Sequence, residues 1–221
     1  LLDIEQIEVL RGPQGTLQGR NVTGGSINIS TSRPSNELTG KAKVSYGNYD
    51  QFVATGVISG PIIKDKLAAK IGIGRYYRDG FARNVTLDKP LDSEDAWSFR
   101  GQLAFTPNED LEVLLSADYD DYTNHDTHGD FGAPGVSTLD EDNLDRLAYS
   151  DIWNRGDRQV GGVALNIYYT FPNDMTLASI SSYRAYEANA IQDGDPDPNL
   201  GVAGIGTFFA TAQNNQDQHQ L

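Results

Sequence analysis

The sequence predicts an all-β chain: part of an antiparallel, membrane-spanning β-barrel, preceded by a compact glycine-rich segment. Three observations carry this. Apolar residues recur at every second position over long stretches, and the helical spacing is hard to find. The alternating stretches run about ten residues, longer than the usual five or six of soluble sheets and close to what a tilted strand needs to cross a bilayer. Short and long connections alternate, as they do in an up-and-down barrel with tight turns at one rim and long loops at the other.

The strands can be taken in order. From Leu38 to Tyr46, Leu38, Ala42, Val44 and Tyr46 share one face, and Thr39, Lys41, Lys43 and Ser45 the other. From Leu67 to Tyr77, Leu67, Ala69, Ile71 and Ile73 oppose Ala68, Lys70, Gly72 and Gly74. From Trp97 to Phe105, Trp97, Phe99, Leu103 and Phe105 alternate with Ser98, Arg100, Gln102 and Ala104. Leu111 to Tyr119 and Gly161 to Phe171 repeat the pattern, while Gln51–Gly60 and Met175–Glu187 alternate less cleanly. Pro61–Lys66, Thr106–Asp110 and Phe171–Asp174 read as tight turns, rich in Pro, Asn and Asp. Gly47-Asn48-Tyr49-Asp50 reads as the first hairpin turn, and Asp79–Ala96, Thr123–Val160 and Ala188–Gln213 as long loops. Tyr46, Tyr49, Tyr76, Tyr77, Phe81, Tyr119, Tyr122, Tyr183 and Tyr186 fall near the long-loop ends, and Phe105 and Phe171 near the tight turns. Rings gathered at two levels are the girdles expected at membrane–water boundaries.

Composition narrows the function. Lys plus Arg number 17 against 31 Asp plus Glu, a net charge of −14 over 221 residues. That balance argues against nucleic acid as a partner. The absence of Cys removes disulfides, thiolate metal sites and Cys nucleophiles. No apolar run reaches the ~18 residues of a transmembrane helix, and no signal peptide is visible. The chain opens and closes in mid-pattern, so a piece of a larger protein is expected.

The stretch from Leu10 to Ile29, LRGPQGTLQGRNVTGGSINI, resembles a nucleotide loop at first sight. A phosphate-binding loop needs Lys-Ser or Lys-Thr after its last glycine and then a helix; here Gly24-Gly25 leads into the alternating Ser26-Ile27-Asn28-Ile29-Ser30. The dinucleotide spacing is also absent. What remains is a short strand over Ile4–Leu10, turn chemistry at Gly12-Pro13-Gln14-Gly15, and two guanidiniums, Arg11 and Arg20, able to pair with carboxylates.

The run Ile7-Glu8-Val9-Leu10-Arg11-Gly12-Pro13-Gln14-Gly15-Thr16-Leu17, then Gly19-Arg20-Asn21 and Thr23-Gly24-Gly25-Ser26-Ile27-Asn28-Ile29, resembles the end of the plug domain in TonB-dependent outer-membrane receptors. Gln18 stands where that family usually has Tyr, and Val22 where it usually has Ala. Val44–Asp50 and Ile58–Ile62 are similar to the family's first barrel hairpin and periplasmic turn, and Ser182-Tyr183-Arg184 to a later strand. The resemblance implies that residues 1–36 end a plug and 37–221 begin a barrel, supplying about seven or eight of roughly 22 strands. So few strands leave open edges, which lipid does not tolerate, so the chain alone is not expected to be a functional unit. Glu8, Arg11, Gly12, Pro13, Gly15, Gly19, Arg20, Gly24 and Gly25 would be the plug motif, structural or gating, with Arg11 facing carboxylates on the inner wall.

The implied function is energy-coupled uptake of a scarce ligand across the bacterial outer membrane, a ferric siderophore first, with oligosaccharide or vitamin B12 as alternatives. The implied partners are outer-membrane lipid and lipopolysaccharide, a TonB-type energy-coupling protein and the small ligand; no cofactor and no enzymatic activity are expected. Ligand capture would fall to the outer loops, with Tyr122, His125, His128, Phe131, Trp153 and Arg155 as candidates. His125 and His128 beside Asp118, Asp120 and Asp121 could bind a transition metal, and Asp193–Asn199 has the alternating oxygens of a calcium loop. A polar, solvated loop is the plainer reading of the first, and the second lacks the downstream Glu of a calcium loop while its prolines suit a stiff turn, so no metal site is assigned. Lys41, Lys43, Lys70 and Arg100 would look into the lumen, beside the plug or paired with its acids. A reading of a different class is a soluble, carbohydrate-binding β-sandwich using Trp97 or Trp153.

Overall fold

In a computed structural model, the chain is described over residues 2–13, 24–125, 147–148, 151–193 and 207–220. Those residues form strands and turns, without a helix. In chain order the strands are β1 (Ile4–Arg11), β2 (Gly25–Thr31), β3 (Thr39–Tyr46), β4 (Phe52–Ile63), β5 (Leu67–Arg78), β6 (Ala82–Asn84), β7 (Lys89–Leu91), β8 (Ser93–Phe105), β9 (Leu111–His125), β10 (Leu147–Ala148), β11 (Arg155–Thr170), β12 (Thr176–Asp193) and β13 (Thr207–Gln220).

Eight of them make one antiparallel sheet in the order β3-β4-β5-β8-β9-β11-β12-β13. It is a meander, open at β3 and β13 among the described residues. β1 and β2 form a separate two-stranded sheet, and β10, β6 and β7 a small three-stranded one. The tight turns are built as their composition predicts. Asp65 and Asp174 adopt positive φ, which Asp tolerates, and Asn108 Oδ1 accepts the Leu111 N–H at 3.0 Å.

The long strands reach further than their alternation shows. β8 begins at Ser93 rather than Trp97, β9 runs on to His125, β11 begins at Arg155 rather than Gly161, and β12 continues to Asp193. β13 begins at Thr207, within what the sequence reads as a loop. Above the membrane both faces of a strand meet water, so the apolar–polar alternation that marks a half-buried strand fades there. The small β6–β7–β10 sheet was not foreseen, because strands of two or three residues carry no period.

Register fixes which residues share a face, since directly opposed residues point the same way. One row joins Val44, Ala54, Arg75 and Trp97; the next joins Gly56, Ile73, Phe99 and Tyr119. Lower rows join Ile58 to Ile71, and Ala69, Leu103, Leu115 and Leu165. This face is apolar and open, with Val44 71% and Ile71 64% exposed. A sandwich would seal it under a second sheet; among the described residues none covers it. The opposite face carries Lys41, Lys43, Thr55, Ser59, Lys70, Ser98, Arg100, Gln102, Ser116 and Asp118. One face for lipid and one for a polar interior is the division of a transmembrane barrel wall.

Aromatic residues divide between the two faces. Tyr46, Tyr77, Trp97, Tyr119 and Tyr183 lie on the apolar face, as a girdle requires, whereas Tyr76, Tyr122 and Tyr186 lie on the polar one. Among the outward rings, Trp97 stacks on Phe99 with centroids 5.9 Å apart, and the Arg75 guanidinium lies 4.9 Å from the Trp97 centroid while pairing with Asp95 through two hydrogen bonds.

Candidate functional site

The polar face of the sheet is not bare. The segment before β1 lies against it, and Lys70 on β5 is where they meet. The Lys70 residue is 4% exposed. Its ammonium donates to Asp3 Oδ2 at 2.7 Å, to Ser32 Oγ at 3.0 Å and to the Ser32 carbonyl. An ammonium has three N–H donors, and all three are used. Asp3 precedes β1 and Ser32 follows β2, so both stand at the same, open end of the pair, and Ser32 N–H donates to the Asp3 carbonyl at 3.3 Å. Ser32 Oγ also binds the Asp3 carboxylate. One lysine therefore gathers the chain entering β1 and the chain leaving β2. Burial by itself would raise Asp3; the hydrogen bonds from Lys70 and Ser32, with the Lys70 charge, outweigh it and hold the carboxyl below its ordinary value.

Leu2 explains the glycines on the same row. It is 6% exposed and sits over Gly72 and Gly74. A Cβ on Gly72 would lie 3.5 Å from Leu2 Cδ1, and one on Gly74 only 2.9 Å from Leu2 Cδ2. The alternation Lys70-Gly72-Gly74, read from sequence only as a polar face, is a notch cut to receive a leucine beside an aspartate. Sequence reasoning had no signal for this contact, whose partners lie far apart in the chain.

Farther along the wall, one rung of the register carries Lys41, Val57, Gly72, Arg100, Asp118, Gly162 and Arg184 side by side. Asp118 is shared. Arg184 Nη2 donates to both its oxygens at 3.0 and 2.8 Å, and Arg100 Nη2 lies 3.8 Å away. Gly162 stands between Asp118 and Arg184 on the intervening strand and leaves the guanidinium room to cross it. The expected inward row of Lys41, Lys43, Lys70 and Arg100 therefore shares one face, and Lys70 takes an acid from the N-terminal segment.

Within the motif itself, β1 and β2 pair so that Ile7 opposes Ile29, Val9 opposes Ile27 and Arg11 opposes Gly25. Gly12 has φ +86° and donates its N–H to the Gly24 carbonyl at 3.2 Å; Gly25 has φ +142°, and a Cβ there would collide with the Leu10 carbonyl. Glycine is required at both. Glu8 is exposed and accepts from Gln6 Nε2 at 2.8 Å, while Arg11, the last residue of β1, and Pro13 are exposed. Gly15, Gly19 and Arg20 lie outside the described residues.

The outer-mouth candidates separate. His125 and Trp153 stack with ring centroids 3.6 Å apart and planes 2° from parallel. Lys89 Nζ lies 4.1 Å from the Trp153 centroid, and Trp153 Nε1 donates to the Pro90 carbonyl at 3.1 Å. His125 Nδ1 lies 2.9 Å from the Asn154 carbonyl, which can only accept, so Nδ1 carries the proton. At this height, above the membrane, burial pushes the His125 pKa down and the Asn154 carbonyl partly offsets it. Arg155 pairs instead with Asp157, Nε to Oδ2 at 2.8 Å, and Tyr122 lies on the inner face under Arg158, 4.9 Å from its ring. Trp153 thus closes the small sheet over its buried Ala82 and Leu91. His128, Phe131 and residues 194–199 of the acidic loop lie outside the described residues.

No family model matches the chain. A pesticin receptor of Yersinia pestis is 36% identical over 80 residues, 36% of this chain and 12% of that protein. The ferrioxamine B receptor of Salmonella typhimurium is 27% identical over 183 residues, 79% of this chain and 24% of that one. Among solved structures, the ferric yersiniabactin uptake receptor FyuA of Yersinia pestis superposes with a TM-score of 0.77 at 22% identity, covering 99% of this chain and 33% of that receptor.

The chain has the fold of one part of an outer-membrane siderophore receptor.

The pyoverdine outer-membrane receptor FpvA of Pseudomonas aeruginosa PAO1 gives a TM-score of 0.74 at 18% identity over 96% of this chain and 31% of its own. The chain spans well under half the length of each of these proteins. They are named as receptors, and the likeness gives the eight-stranded sheet the fold of part of their barrel wall.

Proposed function

We propose that the chain serves uptake of a ferric siderophore across the outer membrane, energised by a TonB-type protein. Residues 1–36 would end the plug and residues 37–221 begin the barrel around it. The observation that carries this reading is the seating of Leu2, Asp3 and Ser32 on the polar face of a sheet whose other face is open and apolar. A wall with something lodged against its inner side suits a gated path. An open pore would leave that face to water. Relatives in sequence are named for pesticin, for ferrioxamine B or for ferripyoverdine, and the two iron chelates favour a siderophore over an oligosaccharide.

In this reading the glycine-rich hairpin, with Glu8, Arg11, Gly12, Pro13, Gly15, Gly19, Arg20, Gly24 and Gly25, shapes the stopper. Capture is by Tyr122, His125, His128, Phe131, Trp153 and Arg155, with His125 and Trp153 stacked on each other. Bonds neither form nor break in the cargo; the work is movement of the stopper. The test is uptake of radiolabelled iron by cells that carry or lack the gene, supplied in turn with ferrioxamine B, pyoverdine and yersiniabactin, with and without a proton-gradient uncoupler. Gene- and gradient-dependent uptake of one chelate supports the reading. Uptake of none, with gene-dependent growth on a glycan, would replace it.

A further inference from the structure

Tyr76, Tyr122 and Tyr186 stand on the polar side of the sheet, where a lipid girdle gives rings no reason to be. Two of them share a row. Register sets Tyr76 on β5, Ala96 on β8, Tyr122 on β9 and Arg158 on β11 side by side on that face. Both tyrosines are half-buried. They stand two strands apart, about 10 Å at the usual spacing of paired strands, with the Ala96 methyl between them. A flat ring entering midway would lie about 5 Å from each phenol, inside the roughly 4.5–7 Å over which aromatic rings attract. Gln51 Nε2 holds one side of this slot in place by donating to the Tyr76 hydroxyl at 3.1 Å.

Arg158 supplies the charge. Its guanidinium lies 4.9 Å from the Tyr122 centroid, and its side chain is exposed. Among the described residues no carboxylate pairs with it. The acids in the adjoining rows are engaged elsewhere: Glu94 accepts from Arg78 Nη2 at 3.2 Å, and Asp120 accepts from the Ser98 hydroxyl. Asp118, lower on the same strand, serves Arg184 and Arg100. A guanidinium laid on a ring keeps its N–H edge for an anion.

We propose that Tyr76, Ala96, Tyr122 and Arg158 form a subsite for one aromatic arm of an anionic iron chelate, of catecholate or phenolate type, with Arg158 setting the preference for negative charge. Such an arm offers a flat face to the two phenols and anionic oxygens to the guanidinium. A linear hydroxamate chelate has no ring to place in the slot and no excess negative charge. The proposal deepens the uptake reading and rests on it.

The test is binding of radio-iron chelates to the protein in outer-membrane preparations. The probes are a synthetic ferric tricatecholate of net negative charge, a neutral ferric trihydroxamate and ferrioxamine B. The wild type should hold the tricatecholate at least about tenfold tighter than either hydroxamate. Arg158→Gln, and Ala96→Leu, whose side chain would fill the slot, should each weaken the tricatecholate about tenfold and leave any hydroxamate binding within about twofold. Ala96→Gly, which keeps the slot open, should change neither. The effect of Arg158→Gln should shrink in high salt. A hydroxamate bound as tightly as the tricatecholate, or tricatecholate binding untouched by both variants, would overturn the subsite and leave the uptake reading standing. An equal loss for all three probes would show a damaged wall rather than a subsite, and would overturn it too. Binding of no chelate by the wild type would overturn the subsite and the uptake reading together.

Discussion

Lys70 and Asp3 are 67 residues apart in the chain and 2.7 Å apart in space, and between them they join the glycine-rich segment to the sheet. Their side chains are 3% and 11% exposed. Removing one partner from a buried pair leaves a stranded charge, so Lys70→Met is expected to cost about 3–5 kcal/mol. Lys70→Met combined with Asp3→Leu should recover most of that, because an apolar pair of similar size fills the same space without the desolvation cost. A double-mutant cycle by urea unfolding in lipid vesicles gives the coupling; a coupling below about 0.5 kcal/mol would contradict the buried pairing.

The same pair sets a pH dependence. The Asp3 carboxyl is lowered in the folded protein relative to its ordinary value, so folding favours its ionised form. Its contribution is therefore complete above the ordinary carboxylate pKa and is lost as the pH falls through the lower, native value. Exchange in residues 24–36 should be insensitive to pH between about 7 and 5, once corrected for intrinsic rates, and should rise only in strong acid. Lys70→Met should abolish that acid step. A step near neutrality would point to some other group.

Asp118 serves two guanidiniums. Asp118→Asn leaves Arg100 and Arg184 without their shared carboxylate and should cost about 1 kcal/mol, modest because Arg184 is half exposed. Gly162→Val should cost more, about 1–3 kcal/mol, because its Cβ would come within 2.9 Å of the Tyr183 carbonyl and block the crossing. Thermal unfolding of the two variants in one detergent ranks them; the reverse order would show that the glycine is not needed for the rung.

Trp153 holds the outer small sheet by three contacts: the His125 stack, the Lys89 ammonium and the bond to Pro90. Trp153→Leu should release about 1–2 kcal/mol of local stability there, seen as faster exchange in β6 and β7 with the eight-stranded sheet unaffected. If exchange in β6 and β7 does not change, the stack is incidental.

Much of this was legible in the residues, and unevenly. β5 is the clearest case: Leu67, Ala69, Ile71 and Ile73 against Ala68, Lys70, Gly72 and Gly74 read directly as two faces, and the register bears that out. The glycines of the Leu10–Ile29 stretch read as turn chemistry, and Gly12 and Gly25 have the positive φ that demands it. The top of β9 was not legible, because Asp120, Asp121 and Asn124 are polar on both faces once the strand leaves the membrane. Nor was the partner of Lys70. An inward lysine announces that it needs an acid, but only the folded chain selects Asp3 from 31 Asp and Glu. His125 and Trp153 were singled out by placement alone, and their stack over the small sheet is a contact that placement could not show.

The central claim is that the two rows of β5 face different media, and spin labels placed singly along it test that most directly. Labels at Ala69, Ile71 and Ile73 in lipid vesicles should be relaxed by oxygen and shielded from a water-soluble nickel chelate. Labels at Ala68, Gly72 and Gly74 should be protected from lipid-borne oxygen. Both rows shielded from lipid, or no two-residue period along the strand, would contradict the account.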